Sequence, residues 1–397
     1  MFRLIICLLL SGWAHANDTL AHNNMPETQS FEEFLLDIRH QALNEGISNT
    51  TLDQTLSALT PNEKVIKFDR TQAEFSQNFW RYLGSRVSAY RLKYGAQKLK
   101  LHQQTLQKNY QRYGVPPHII VAFWGLETNY GNNTGSLNLV RSLATLSYDQ
   151  RRRAFFTKQL LALLKLIDEG KIPPEANGSW AGAMGNVQFM PTNVAAYGVD
   201  ANQDGEIDLW NNTQDTFASA ANFLQKIGWH RGERWGREVS IPQNFKYQHA
   251  NLQIKKTVNE WRSLGVRTAQ DSNLPVSDLK ASLILPMGYQ GPAFLVYRNF
   301  RAILRWNQSI LYALSVGHLS DRLAGADQLY ATPIKEPSLS RDDVHLIQTQ
   351  LNNLGHDAGE PDGISGPKTR KATRQYQQDN HLPIDGYVGY QLLQQLQ

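Results

Sequence analysis

Val115-Pro116-Pro117-His118-Ile119-Ile120-Val121-Ala122-Phe123-Trp124-Gly125-Leu126-Glu127-Thr128-Asn129-Tyr130-Gly131 decides how the rest of the chain is read. Two prolines suit the first turn of a helix, where a missing N–H costs nothing. Nearly every residue up to Leu126 is apolar, and Asn129 with Gly131 supplies a stop. At about 100° per residue, Glu127 stacks over Phe123, Trp124 and Ile120. A carboxylate is therefore predicted in the middle of an apolar face. Desolvation there favours the neutral acid and raises its pKa, as a general acid at neutral pH requires. The plainer alternative is a buried Glu neutralised by an arginine or by backbone amides.

Residues 1–16 place Arg3 before the apolar run Leu4-Ile5-Ile6-Cys7-Leu8-Leu9-Leu10 and end in Ala14-His15-Ala16. This is the pattern of a signal peptide, too short to span a bilayer. Cys7 is the single cysteine and lies inside that run, so no lipid anchor and no disulfide are expected. A soluble periplasmic protein fits these features. The chain of 397 residues has room for two or three domains, and hydrophobic residues at 41% suffice for a core. A formal charge of +5 suits an anionic polymer without demanding one. The signal peptide and the lack of a reader motif argue against nucleic acid, and no later stretch is apolar enough to span a membrane.

Residues 30–112 read as helices, opened by the capping box Ser30-Phe31-Glu32-Glu33. Aromatics at helical spacing around Trp80 read as core, although Tyr82 has a polar tip that can line a groove. Arg151-Arg152-Arg153 reads as a solvated helix face, or as a partner for acids or for an anionic substrate. Residues 177–191 (Asn-Gly-Ser-Trp-Ala-Gly-Ala-Met-Gly-Asn-Val-Gln-Phe-Met-Pro) mix small residues, aromatics and the polar Ser179, Asn186 and Gln188. Such a mixture suits a sugar site, where backbone approaches a ring and amides bind hydroxyl or N-acetyl groups. A tight helix–helix contact would use the same small residues.

Residues 200–211 carry oxygen donors at loop positions 1, 3, 5 and 9 and glycine at position 6, the pattern of an EF-hand calcium loop. The candidate donors are Asp200, Asn202, Asp204, Glu206 and Asp208. Asn211 stands where a bidentate Glu is usual, and Asp215 can close the shell unless it serves as a helix N-cap. A structural calcium ion is expected, with a metal-free Asx-rich turn as the alternative. The dispersed histidines offer no zinc site. Beyond residue 237, Glu238-Val239-Ser240-Ile241 alternates, and residues 281–285 and 293–297 read as a hairpin with a longer loop. A Pro/Ser linker at 331–340 precedes a small module with an internal echo. Its Asp362-Gly363-Ile364-Ser365-Gly366 recurs as Asp385-Gly386-Tyr387-Val388-Gly389.

Four motifs carry a resemblance. They are residues 125–131, Leu143-Ala144-Thr145-Leu146-Ser147, residues 178–191, and Asn299-Phe300 followed by Arg305-Trp306-Asn307. With these, residues 28–325 resemble the lytic murein transglycosylase B family (glycoside hydrolase family 103), and the tail from 340 resembles a small helical peptidoglycan-binding module. The resemblance implies a mainly α (α+β) chain. Its domains would be a signal peptide at 1–16, a lysozyme-like catalytic domain with a small β element at 17–330, the linker, and a peptidoglycan-binding domain at 341–397. It makes Glu127 the catalytic acid/base, puts Ser179, Gln188, Asn307, Tyr82, Tyr312 and Trp306 in the sugar cleft, and likens the Asp200 loop to the family's EF-hand-like calcium site. Trp306 stands where relatives often carry Tyr, and Phe156 is read as a second such replacement. Each keeps a stacking face and loses a hydroxyl.

The implied reaction cleaves the β-1,4 bond between N-acetylmuramic acid and N-acetylglucosamine without water and leaves 1,6-anhydro ends, in cell-wall turnover. No catalytic cofactor is needed. Glycan strands are the expected partner, with other cell-wall enzymes as further ones. A hydrolytic muramidase and a non-catalytic wall-binding scaffold are the competing readings.

Overall fold

The computed structural model describes residues 29–70 and 77–397; the expected signal peptide lies outside the described residues. The described residues divide into two compact units, 29–70 with 94–227, and 77–93 with 228–397.

The first unit is helical. Ser30 caps the Phe31–Asn44 helix, its side chain and that of Glu33 each taking the other's backbone N–H, so the predicted capping box is present. The Leu139–Tyr148 and Arg153–Asp168 helices form the main packed pair, and the helices Asn49–Leu56 and Glu63–Arg70 lie against them. Phe156 is 1% exposed in this core, with the Arg152 guanidinium over its ring. It is therefore a packing residue and does not line a surface open to sugar. Arg151 and Arg152 both pair with the buried Asp69, so two of the three arginines serve an internal ion pair. The Pro117–Thr128 helix begins on the predicted proline and ends at Asn129 in the left-handed region. It packs against the helices Gln103–Tyr113 and Thr213–Lys226. Leu137–Asn138 pairs antiparallel with Asn177–Gly178, opposing Leu137 to Gly178.

The second unit contains an antiparallel five-stranded sheet in the order 256–257, 280–284, 293–296, 236–240, 267–268. The predicted hairpin sets Ser282 opposite Val296 and Ile284 opposite Phe294. Trp261 is wholly buried beneath the sheet and donates its indole N–H to Ala281 O at 3.0 Å. The Phe79–Arg86 helix packs on Ile310–Leu323, which also holds Arg298–Trp306.

The echo in the tail is a structural repeat. Gln348 Nε2 donates to Asp362 Oδ1 at 2.9 Å, and Gln348 Oε1 accepts Gly363 N at 2.8 Å. Gln377 makes the same pair of bonds to Asp385 and Gly386, at 2.7 and 2.8 Å. Each turn then opens a helix, Pro367–Asp379 and Tyr390–Leu396, closed over a core of Val344, Ile347, Leu351 and Ala372. Within the stretch read as linker, the Glu336 carboxylate accepts Tyr387 Oη at 2.6 Å and Tyr390 N at 2.9 Å.

Candidate active site

Glu127 ends a helix whose other members in its last turns are closed off from water. Phe123, Trp124, Leu126 and Thr128 are 0–5% exposed, while Glu127 is half-buried. The carboxylate expected in the middle of an apolar face stands instead at the edge of the packing, because the helix is buried on nearly every side and Glu127 lies in its last turn. Asn129, Tyr130 and Gly131 follow with φ of 54°, 62° and 88°, three successive left-handed residues. Such a run is rare for non-glycine residues and turns the chain sharply away from the helix.

The 178–191 loop lies beside this turn. Thr128 Oγ1 donates to Asn186 O at 2.8 Å, and Trp124 Nε1 donates to Asn186 Oδ1 at 2.8 Å. Gly135 is needed where the 132–135 segment crosses the loop. Its φ is 97°, and a Cβ there would stand 2.0 Å from the Gly178 carbonyl carbon. Ser179 is buried, and its Oγ accepts Ala183 N at 2.9 Å, leaving the hydroxyl proton available to donate. Gln188 has φ of 51°, and its Nε2 donates to Thr134 O at 3.1 Å and Gly185 O at 2.9 Å. Gln188 Oε1 is a buried acceptor without a hydrogen-bond partner among the described residues. An acceptor left in that state costs free energy until something donates to it. Glu127, Ser179 and Gln188 thus share the first unit, with Asn186 tying the loop to the Glu127 turn.

Tyr82, Trp306, Asn307 and Tyr312 belong to the second unit. Tyr82 and Tyr312 are buried, at 6% and 5% exposed, on the mutually packed helices Phe79–Arg86 and Ile310–Leu323. The Arg86 guanidinium sits 5.0 Å from the Tyr82 ring centre. Asn307 terminates the Arg298–Trp306 helix and its Oδ1 accepts Ser309 N at 3.0 Å, with Trp306 half-buried beside it.

The acidic loop is organised by its own amides. Asp200 accepts Gln203 N at 2.6 Å and Gly205 N at 2.8 Å, and Asp204 accepts Glu206 N at 3.0 Å. The N-cap of the following helix is Asn212, which accepts from Gln214 N and Asp215 N, so the idea of Asp215 as the cap is corrected. Asp215 is wholly buried and staples the loop, taking Ala201 N at 2.8 Å and Asp208 N at 3.0 Å. Burial pushes its carboxyl above the ordinary range, those two N–H groups pull it back, and the charges of Asp200 and Asp204 push it up again. Among the described residues no three histidine, cysteine or acidic side chains converge as a metal cage. The donor chemistry nevertheless suits a hard cation, which would neutralise the charge gathered at Asp200 and Asp204.

Sequence reasoning missed the part played by Asn186. It stood out only as a polar residue in a Gly/Ala-rich run, and its partners lie up to 62 residues away.

A family model described as "Transglycosylase SLT domain" matches residues 30–321, and one for a peptidoglycan binding domain matches residues 340–396. Membrane-bound lytic murein transglycosylase B of Escherichia coli K12 is 33% identical over 234 residues, 56% of this chain and 61% of that protein's own length. The crystal structure of SltB3 from Pseudomonas aeruginosa, in complex with NAG-anhNAM-pentapeptide, is 43% identical. It covers 93% of this chain and 100% of its own, with a TM-score of 0.90. Slt35 of Escherichia coli, in complex with calcium, is 28% identical, covers 73% of this chain and 92% of its own, and has a TM-score of 0.63. With the first model spanning most of the chain and the second its tail, the chain belongs to the transglycosylase SLT family and carries a C-terminal peptidoglycan-binding domain.

Proposed function

We propose that this chain is a lytic transglycosylase of the cell envelope that cleaves the β-1,4 bond between N-acetylmuramic acid and N-acetylglucosamine, with Glu127 as the single acid/base. The observation that carries this reading is the half-buried Glu127 carboxyl, set at the end of a closed apolar helix and beside a loop offering a free acceptor at Gln188. The muropeptide seen with SltB3 contains the anhydro sugar such a reaction would leave.

The protonated Glu127 carboxyl gives its proton to the glycosidic oxygen as the bond from C1 breaks. Its carboxylate then takes the proton of the muramic acid C6 hydroxyl while O6 bonds to C1 and closes the 1,6-anhydro ring. One proton leaves Glu127 and one returns, and no water enters. A paired-carboxylate glycosidase would need a second acid for nucleophile or base. Here the substrate is its own nucleophile, an arrangement with an effective molarity on the order of 10⁵ M when well oriented. Ser179 Oγ–H is suited to the acetamido carbonyl and Gln188 Oε1 to its N–H or to a ring hydroxyl. We place Tyr82, Trp306, Asn307 and Tyr312 as further sugar contacts.

Oxygen atoms of Asp200, Asn202, Asp204, Glu206 and Asp208 would hold a calcium ion, with Asp215 holding the loop itself. Calcium supplies structure there and no chemistry at the reacting bond. Among the described residues no helix is long and apolar enough to cross a membrane, and we assign the chain to the periplasm.

Mass spectrometry of muropeptides released from purified sacculi tests the proposal. Anhydro products, one water lighter than reducing ends, are expected. Reducing-end products would replace it with a hydrolytic muramidase, and a protein that binds sacculi without releasing fragments would be a scaffold.

A further inference from the structure

The last turn of the Glu127 helix is closed by its own backbone, Asn129 N donating to Gly125 O at 3.1 Å and Tyr130 N to Trp124 O at 3.3 Å. It ends in three left-handed residues, two of them not glycine. His102 and Phe217 pack their rings on Trp124 in this turn, and Asn186 brings it hydrogen-bonding groups from the 178–191 loop. Asn186 is 3% exposed, and its amide is fully used. Oδ1 accepts the Trp124 indole N–H at 2.8 Å, and Nδ2 donates to Leu209 O at 3.0 Å and Trp210 O at 2.7 Å. An indole can only donate and carbonyls can only accept, so these partners allow one orientation of the amide. Its backbone is used as well. Asn186 N donates to Leu209 O at 2.7 Å, and Asn186 O accepts Thr128 Oγ1 at 2.8 Å. Thr128 Oγ1 in turn accepts Gly131 N at 3.1 Å, so the hydroxyl ties the left-handed turn to the same residue. Gly131 has φ of 88°, and a Cβ there would stand 2.7 Å from Asn186 Oδ1, so the turn is shaped around this amide.

We infer that Asn186 is a positioning residue for the proposed acid. It clamps the residues on either side of Glu127, Trp124 and Thr128, to the loop that bears Ser179 and Gln188 and to the end of the acidic loop at Leu209 and Trp210. Asn186 itself touches none of the reacting atoms. Its effect is to hold the carboxyl and the acetamido-binding groups at one separation, and displacement of a reacting group by about 1 Å costs on the order of 100-fold in rate. This inference rests on the assignment of Glu127 as the acid.

The test uses the full chain and sacculi or a soluble glycan of defined length. Thr128→Val removes the hydroxyl with little change of shape, and Thr128→Ser restores it. Asn186→Ala removes the whole clamp. The expected result is a kcat lowered about 10-fold in Thr128→Val and on the order of 100-fold in Asn186→Ala, with KM within about twofold. Thr128→Ser is expected to recover the native kcat. If the assay temperature is well below each melting point and kcat is unchanged in both Thr128→Val and Asn186→Ala, the clamp is structural only and the inference is overturned. Glu127→Gln is measured beside them. Full activity in that variant would overturn the acid assignment itself, which separates the two failures.

Discussion

The indole N–H of Trp235 donates to the Asp321 carboxylate at 3.0 Å, one turn beyond the buried His318 on the same helix. Burial pushes Asp321 up from 3.8 to about 6, with Arg234 and the indole N–H pulling it back. Burial also pushes His318 down from 6.5 to about 4, assisted by the charge of Arg322. The two groups act on stability with opposite signs. Between about pH 4 and 6 the folded chain keeps the Asp321 proton that the unfolded chain has released, so stability falls as pH rises. Between about pH 4 and 6.5 the unfolded chain holds a His318 proton that the folded chain lacks, so stability rises with pH. Each effect is worth roughly 3 kcal/mol across its window, and they offset each other. Asp321→Asn keeps an acceptor for Trp235 and removes one of the pair. Denaturant melts are expected to show this variant losing stability more steeply than the native chain on acidification from about pH 6.5 to 4.

Replacement of Glu127 by Gln keeps the size of the side chain and removes its proton. The expected loss in release of anhydro-muropeptides is on the order of 10²–10⁴-fold, the usual weight of a general acid, with an unchanged melting temperature. Ser179→Ala and Gln188→Ala are expected to cost less, since each would remove one of the sugar contacts proposed above. Equal sacculus clearing by Glu127→Gln and native protein would end the assignment of Glu127 as the acid.

Much of the frame is legible in the sequence wherever its cause is local. The reciprocal bonds of Ser30 and Glu33, the proline opening the Glu127 helix and the hairpin around residues 285–292 depend on neighbours within a few positions. The Asp-Gly echo was visible as well. Its mechanism was not, because Gln348 and Gln377 stand 14 and 8 residues before the aspartates they hold. The resemblance suggests a cleft aromatic at Phe156, whereas its side chain is 1% exposed in the helical core. The division into units was hidden in the sequence, since residues 77–93 join a unit that otherwise begins at 228. Asn186 is the plainest case. Its type and its Gly/Ala-rich surroundings suit a sugar ligand, yet every polar atom of the amide is taken by protein.

Calcium is expected to stabilise the chain through the loop at Asp200. A ligand that binds only the folded state at a hundred times its Kd adds about 2.7 kcal/mol. The melting temperature is therefore expected to rise with added calcium and to return after chelation. The double variant Asp200→Asn with Asp204→Asn removes the charge that attracts the ion and is expected to abolish the rise. A melting temperature indifferent to calcium in the native chain would leave the loop as a metal-free turn, held by its own amides and by Asp215.

The tail offers a separate measurement. Tyr387 Oη donates to Glu336 Oε2 at 2.6 Å, and burial together with that carboxylate pushes the phenol far above its ordinary range. Tyr387 therefore stays neutral and able to donate through the neutral range. Tyr387→Phe keeps the ring and leaves one oxygen of Glu336 without its donor, while Tyr390 N still serves the other. A hydrogen bond to a charged group contributes about 1.5–3 kcal/mol, so a loss of that order is expected in denaturant melts. The repeat's own core of Val344, Ile347, Leu351 and Ala372 does not include Tyr387. The helical content of the tail is accordingly expected to survive, and circular dichroism of the variant checks it. A variant as stable as the native chain would mean that Glu336 is already satisfied by the Tyr390 amide.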